Sequence, residues 1–126
     1  MDNRTEGARD LEFLLSEGNG KISREVVTIK SGAGKLAPGT VLGALTTGGK
    51  YVPSAHAEVT GSEGAEVAKA VLAYGVDATS ADVSAVVIRR DAEVKKSMLV
   101  FAATVSDAAK ITTKLGQLAA LTIIAR

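Results

Sequence analysis

Short apolar runs that end at glycine or proline are the feature of this sequence that most restricts its fold. From Ile22 onward, runs rich in valine, isoleucine and threonine, such as ISREVVTIK and VSAVVIRR, alternate with turn residues. β-Branched residues favour strands, whereas glycine and proline interrupt them. The pattern therefore predicts a mostly β domain of the α+β class, small and irregular, with brief strands joined by tight turns.

A rigid corner is predicted within KLAPGTVLG, residues 35–43. Proline fixes its own φ and glycine tolerates positive φ, so Pro38 and Gly39 suit the two central positions of a type II turn. Val41 and Leu42 follow as a short strand that Gly43 limits. We interpret Pro38 and Gly39 as a structural corner.

Further strands are predicted along the rest of the chain. A short strand surrounds Tyr51, and Pro53 should lie at an edge or an end because proline has no N–H for a strand ladder. Residues 70–76 suit a buried strand. The runs VSAVVIRR (83–90) and SMLVFAA (97–103) are interpreted as a hairpin with a long charged loop.

One helix is predicted near the C-terminus, followed by a strand-like end, LTIIAR. Ser106 can cap this helix, and Asp107 falls in the first turn, where negative charge is favourable. Ile111, Leu115 and Leu118 recur at helical spacing. The fold class is therefore mostly β with a C-terminal helix.

The scarcity of aromatic residues limits how the chain can build a core. Its 126 residues contain two phenylalanines, two tyrosines and no tryptophan, and alanine and valine supply most of the apolar side chains. Aromatic residues bury the most area each. A domain assembled from small side chains gains by sharing surface with copies of itself, which favours an oligomer.

Charge and cysteine content restrict the class of partner. Fifteen basic residues against fourteen acidic ones give a formal charge of +1, without the basic excess of nucleic-acid-binding proteins. The absence of cysteine excludes disulfides and thiolate metal sites. The charged first residues lack a signal peptide's apolar stretch, and no run approaches the roughly 20 residues of a membrane helix. We therefore expect a soluble protein made in the cytoplasm, with no membrane partner.

Motifs that carry chemistry are weak or incomplete. SGAGKL (31–36) and GNGKI (18–22) resemble phosphate loops, but each lacks the first glycine and the serine or threonine after the lysine. His56 is the single histidine, with no apparent nucleophile or second ligand. The sequence therefore predicts neither an enzyme nor a cofactor.

Residues 1–21 differ in character from the rest of the chain, and we divide the chain into an N-terminal arm of residues 1–25 and a core domain of residues 26–126. Mixed charges precede Phe13, Leu14 and Leu15, after which SEGNG breaks regular structure. Such a segment is either a poorly ordered terminus or an arm that docks on a partner. The residues alone leave both alternatives open.

Several blocks taken in order resemble the lambda-type head decoration proteins of tailed phages. They cover the chain from about residue 11 to its end, and they are FLLSEGNGKISREVVTIKSG, LAPGTVLG, GKYVP, GSEGAEVAKAVLAYGVDATSADVSAVVIRRDAEV and LAALTIIAR. Each block is weak alone, but their order and spacing together are specific.

The resemblance implies a structural virion protein that works without a cofactor or direct contact with nucleic acid. It implies a homotrimer at three-fold positions on the outer surface of the expanded capsid, cementing major capsid proteins, after synthesis in the bacterial host's cytoplasm. The N-terminal segment is then an extended capsid-binding arm that adds a strand to the shell protein. Its candidate binding residues are Phe13, Leu14, Leu15, Ile22, Ser23, Arg24 and Glu25.

A surface-displayed domain that binds a ligand or carbohydrate is the alternative interpretation. Such a domain would present exposed aromatic side chains on one face, and Tyr51 and Tyr74 are the candidates.

Overall fold

The described residues of the computed structural model, 9–20 and 22–126, form ten strands and one α-helix. The strands are β1 Leu14–Glu17, β2 Arg24–Ile29, β3 Gly34–Leu36, β4 Val41–Ala44, β5 Tyr51–Pro53, β6 Ala68–Leu72, β7 Val76–Ala78, β8 Val83–Ile88, β9 Ala92–Val94 and β10 Ile123–Ala125. The helix α1 spans Ala108–Ala119, and a 3₁₀ turn spans Lys96–Met98. The predicted fold class, mostly β with a C-terminal helix, is confirmed. Across the described residues, no helix has the length and hydropathy needed to cross a membrane.

Five strands close into a small barrel in the order β2-β5-β4-β6-β8, with β8 returning to β2. The longest ladder is antiparallel and joins β2 to β8, from the pair Arg24–Ile88 to the pair Ile29–Val83. A single parallel pair, Ile29–Tyr51, completes the circle between β2 and β5. Because a closed sheet has no free edges, these short strands satisfy one another's main-chain groups.

The barrel separates two apolar cores. Successive side chains of a strand point to opposite faces, so β6 sends Ala70 and Leu72 inward and Val71 outward. The inner core also contains Ile29 and Tyr51. The outer core lies against one side of the barrel and is covered by the remaining elements. Its buried members are Phe13, Val41, Ala68, Val71, Ile88, Ala92, Val94, Leu99, Leu118 and Ile123.

A second sheet and the helix cover the outer core. Strand β9 lies between β1, which is antiparallel to it, and β10, which is parallel to it. The helix α1 packs against β6 and β10 and buries Leu118 completely. A two-stranded antiparallel ribbon of β3 and β7 lies beside the barrel.

The predicted hairpin between residues 83–90 and 97–103 is wrong. Strand β8 pairs with β2 and β6 instead, and the next strand along the chain, β9, belongs to the second sheet. Residues 97–103 contribute the end of the 3₁₀ turn and one isolated bridge, Thr40–Val100. Pairing with β2 and β6 buries β8 between two partners, which a local hairpin would not do.

Two further boundaries differ from the sequence prediction. The strand expected over residues 70–76 ends at Leu72, and the chain bends at Ala73 and Tyr74 before β7 begins. The helix cap is Asp107 rather than Ser106, because the Asp107 carboxylate accepts a hydrogen bond of 2.9 Å from the Lys110 N–H. The predicted strand at Tyr51 ending at Pro53 and the predicted C-terminal strand are both confirmed.

Candidate functional site

Residues 13–15 enter the second sheet with their side chains in three different environments. Phe13 is 1% exposed in the outer core, Leu14 is half-buried, and Leu15 is 48% exposed. The Phe13 carbonyl accepts a hydrogen bond of 2.6 Å from the Lys95 N–H. Of the three, Leu15 is therefore the side chain available to a partner in this conformation.

The boundary proposed at residue 25 falls inside β2, which begins at Arg24. Strand β1 pairs with β9, and the first residues of β2 pair with β8, so residues 13–25 are joined to the rest of the fold. Residues 1–8, the start of the predicted arm, lie outside the described residues. Capsid binding by the arm stays a prediction.

Ser23 fixes the loop that joins β1 to β2. Its side chain is fully buried, and its Oγ donates to the Asp91 carbonyl at 2.7 Å and accepts from the Gly18 N–H at 2.8 Å. The Ser23 carbonyl accepts from the Arg89 N–H at 2.8 Å. Ser23 therefore holds Ile22, which is 57% exposed, in a defined place at the surface.

Arg24 joins β2 to β1 and to the bend after β6 through its guanidinium. Nε and one terminal nitrogen lie 2.9 and 2.7 Å from the Glu17 carboxylate, and the other terminal nitrogen donates to the Tyr74 hydroxyl at 3.1 Å. The hydrogen bonds from Arg24 lower the pKa of Glu17, and those to Glu17 raise the pKa of Arg24. Arg24 is thus committed to partners within the fold.

Glu25 points to the opposite side of β2 and meets two cations. Its carboxylate lies 3.8 Å from Arg89 Nε and 3.5 Å from a terminal nitrogen of Arg90. Arg90 also donates to the Ile22 carbonyl at 3.0 Å. These pairs are partly exposed, so they order the surface around Ile22 more than they stabilise the fold.

Val26 is a surface residue that the predicted arm omitted. It is 68% exposed in the middle of β2, opposite Val86 of β8. Together with Tyr74, Arg24 and Glu17, these valines border a groove of about 410 Å³. Because alternate residues of a strand lie on opposite faces, the sequence itself places Val26 on the face opposite Val27 and Ile29. That alternation would have predicted an exposed Val26.

The corner at Pro38 and Gly39 lies directly over Phe13. Gly39 has φ +91°, and the Thr40 N–H donates to the Ala37 carbonyl at 3.3 Å, as in a type II turn. A Cβ at Gly39 would lie 2.5 Å from the Met98 carbonyl oxygen and 3.7 Å from the Phe13 ring. The corner therefore packs against the segment that leads into β1.

The main-chain N–H groups of Ser31 and Gly32 in the SGAGKL loop form hydrogen bonds within the protein. The Ser31 N–H donates to the Asp82 carboxylate at 2.7 Å, and the Gly32 N–H donates to the Ala78 carbonyl at 2.7 Å. A phosphate loop must instead direct its N–H groups at the ligand. This loop consequently anchors β3 to the neighbouring turns.

Lys114 is a buried cation that sequence reasoning missed. It projects from α1, is 1% exposed, and its Nζ donates to Ser54 Oγ at 2.9 Å, to the Ala55 carbonyl at 2.6 Å and to the Glu66 carbonyl. Burial lowers its pKa. Its position on the helix face was visible in the sequence, but lysine is rarely fully buried, so periodicity did not mark it.

His56 and the two tyrosines, the other candidate residues from the sequence, lie in different surroundings in this structure. The His56 side chain is exposed, and the main-chain N–H of His56 donates to Thr104 Oγ1 at 3.0 Å. Within the described part of the chain, no three His, Asp or Glu residues are grouped as metal ligands. Tyr51 is 7% exposed in the inner core, so the two tyrosines do not form the exposed aromatic face that the carbohydrate alternative requires.

The fold and these contacts define a small β-barrel protein whose polar side chains, where buried, hold the fold together. Residues 3–123 match the family described as bacteriophage lambda head decoration protein D, so the chain belongs to that family. No curated protein matches the sequence. The chain is therefore a structural protein that associates with the capsid of a phage head and belongs to the virion.

Proposed function

We propose that the chain binds the outer surface of the expanded phage head as a homotrimer at three-fold positions, where it cements neighbouring major capsid proteins. Membership of the head decoration family is the observation that carries this proposal. The low aromatic content supports self-association, because the two cores rest mainly on small aliphatic side chains.

The surface around β1 is the proposed capsid-binding site. Among the described strands, β1 lies at the edge of its sheet, with β9 as its neighbour. An edge strand can pair with a strand of another protein, which gains affinity from main-chain hydrogen bonds and specificity from alternate side chains. The exposed side chains of Leu15 and Ile22 adjoin this edge and would supply that specificity.

Three copies of this surface would make a weak contact strong. A short strand gains little on binding, because ordering each residue costs about 1–2 kcal/mol. Linked binding sites raise the effective affinity by roughly 10²–10⁴. A trimer bound to several capsid subunits would therefore oppose their separation.

Substitution of one exposed apolar residue tests the surface without removing the core. Truncation at residue 25 would also remove Phe13 from the outer core, so Leu15→Asp is the sharper change. Val59→Asp is the matched control, because Val59 is 47% exposed in a loop and Leu15 is 48% exposed. We expect Leu15→Asp to weaken binding to expanded heads at least tenfold, measured by co-sedimentation, and Val59→Asp to change it less than twofold.

Light scattering tests the oligomer independently. The expected mass is about three times the 12.8 kDa of one chain. A stable monomer at micromolar concentration would contradict the trimer, whereas equal binding by Leu15→Asp and wild type would contradict the role of β1. The two results are separate, so either part of the proposal can fail alone.

A further inference from the structure

The apolar run at residues 98–101 covers part of the outer core instead of joining a sheet. It follows the 3₁₀ turn and forms one bridge, from Val100 to Thr40 beside the Pro38–Gly39 corner. The Val100 side chain is 40% exposed. Leu99 and Phe101 turn toward the outer core, with Leu99 8% exposed.

A groove forms between this run and the helix. It has a volume of about 530 Å³, and its lining combines apolar side chains with two cations: Lys96, Ser97, Leu99, Phe101, Ile111 and Arg126. The groove is open to solvent, which suits a segment of another protein better than an enclosed small molecule. Leu99, Phe101 and Ile111 form its apolar floor.

Positive charge dominates the rim of the groove. Lys96 is exposed and Arg126 carries a side chain that is 62% exposed, with Lys95 beside them. Two carboxylates lie in this group: Glu93, which pairs with the Arg126 side chain, and the main-chain carboxylate of Arg126, where this structure ends. The rim therefore keeps an excess of cations within a chain whose formal charge is +1.

The groove adjoins the proposed capsid-binding strand. The Lys95 N–H donates to the Phe13 carbonyl at 2.6 Å, and the Lys96 N–H donates to a main-chain carboxylate oxygen of Arg126 at 3.0 Å. Lys95 and Arg126 directly follow β9 and β10, at the end of the second sheet where β1 begins. A partner strand along β1 would lead toward the cationic rim.

We propose that this groove binds a segment of the major capsid protein that carries a large apolar side chain next to aspartate or glutamate. The proposal rests on the proposed function, since it names a second contact with the same partner. The cationic rim would attract the carboxylate of the capsid segment, and the apolar floor would contact the large apolar side chain beside it. Two contacts on one subunit would fix the orientation of the protein on the shell as well as its position.

Charge reversal at the rim tests the groove. The variant Lys96→Glu changes an exposed side chain for which no ion pair is seen within the described residues, and Lys35→Glu makes the same change on the exposed β3–β7 ribbon. We expect Lys96→Glu to weaken binding to expanded heads lacking the protein at least tenfold, and Lys35→Glu less than twofold. Wild-type binding should also weaken more steeply with added salt than binding by Lys96→Glu.

A second variant tests the apolar floor. Ile111→Ser should weaken head binding to a similar degree while the light-scattering mass stays that of wild type. If this variant melts well below wild type, the charge-reversal pair still decides the question. Equal binding by Lys96→Glu and Lys35→Glu would overturn the proposal.

The outcomes separate this proposal from the function on which it rests. If Lys96→Glu alters the mass of the oligomer rather than head affinity, the groove binds a second copy of this chain and the proposal is overturned. Wild-type protein that fails to bind heads at all would instead contradict the proposed function, and the groove proposal with it. If wild type binds heads and Lys96→Glu binds them equally well, the groove proposal is wrong while the proposed function stands.

Discussion

Lys114 connects the helix to two distant segments through one ammonium group. It holds the chain after β5 at Ser54 and Ala55, and the chain before β6 at Glu66. Its direct partners are hydroxyl and carbonyl oxygens, and the nearby Glu66 carboxylate favours its charged form without forming an ion pair among the described residues. Lys114 therefore links the segment after β5 to the segment before β6, two strands that do not pair with each other.

Replacing Lys114 with methionine should destabilise the protein by about 2–4 kcal/mol, because buried acceptors lose a charged donor. Lys110→Met is the control, since Lys110 lies one turn earlier and its side chain is 31% exposed. We expect the control to change the free energy of unfolding by less than about 0.5 kcal/mol. Urea denaturation measures both, and equal effects would show that the three hydrogen bonds contribute little.

Glu17 gives the fold a dependence on acidity. Its pKa is lowered in the folded state from an ordinary value of 4.5 by the hydrogen bonds from Arg24. Its contribution is therefore complete above pH 4.5 and disappears as the pH falls through the lower, folded-state pKa. Because the pair is partly exposed, the contribution should be below about 1 kcal/mol.

Urea denaturation of wild type and Glu17→Gln over a range of pH tests this contribution. The difference between their free energies of unfolding should be constant near neutral pH and shrink below pH 4.5. A difference that grows on acidification would have the wrong sign and would refute the assigned role of Arg24.

At the scale of elements, the corner at Gly39 is the point where the turn, the 3₁₀ region and Phe13 meet. Gly39→Ala should destabilise by about 2–4 kcal/mol, since it adds a positive-φ penalty and a Cβ 2.5 Å from the Met98 oxygen. Gly32→Ala shares the positive φ but meets open space, and should cost about 1–2 kcal/mol. Equal losses in urea denaturation would mean that the contact with Met98 relaxes freely.

The same elements show what the sequence could and could not predict. Turn chemistry is local, so the Pro38–Gly39 corner, the strand ending at Pro53 and the C-terminal helix were all predictable from neighbouring residues. Strand pairing is not local. The run containing Val100 was apolar enough for a strand, yet β8 takes β2 as its partner, about 60 residues earlier in the chain.

The candidate site was predictable to a similar degree. Local composition marked residues 13–15 as unusual, but it could not tell that Phe13 would be buried while Leu15 stayed at the surface. That difference arises from the register between β1 and β9, where the pairing shifts between Leu14 and Ser16. The contacts of Arg24 with Glu17 and Tyr74 likewise depend on how the strands pair, so the local sequence could not predict them.

At the scale of the whole molecule, two cores share the same strands. Strands β4, β6 and β8 each send side chains to both, as Val41 and Leu42 do in β4. Loss of one core would leave these strands with an exposed apolar face. The barrel and the layer of sheet and helix should consequently unfold together, which suits a protein proposed to resist force on a shell.

Adjacent substitutions in β6 test this coupling. Leu72→Ala should cost about 2–5 kcal/mol through the inner core, and Val71→Ala about 1.5–3 kcal/mol through the outer core. In both variants the far-ultraviolet dichroism of α1 and the fluorescence of Tyr51, recorded in a Tyr74→Phe background, should change at one denaturant midpoint. The protein concentration is held fixed, because association would shift the midpoint. If Val71→Ala melts the helix while Tyr51 remains in its native environment, the cores are independent, and a head protein of this family would yield to stress one layer at a time.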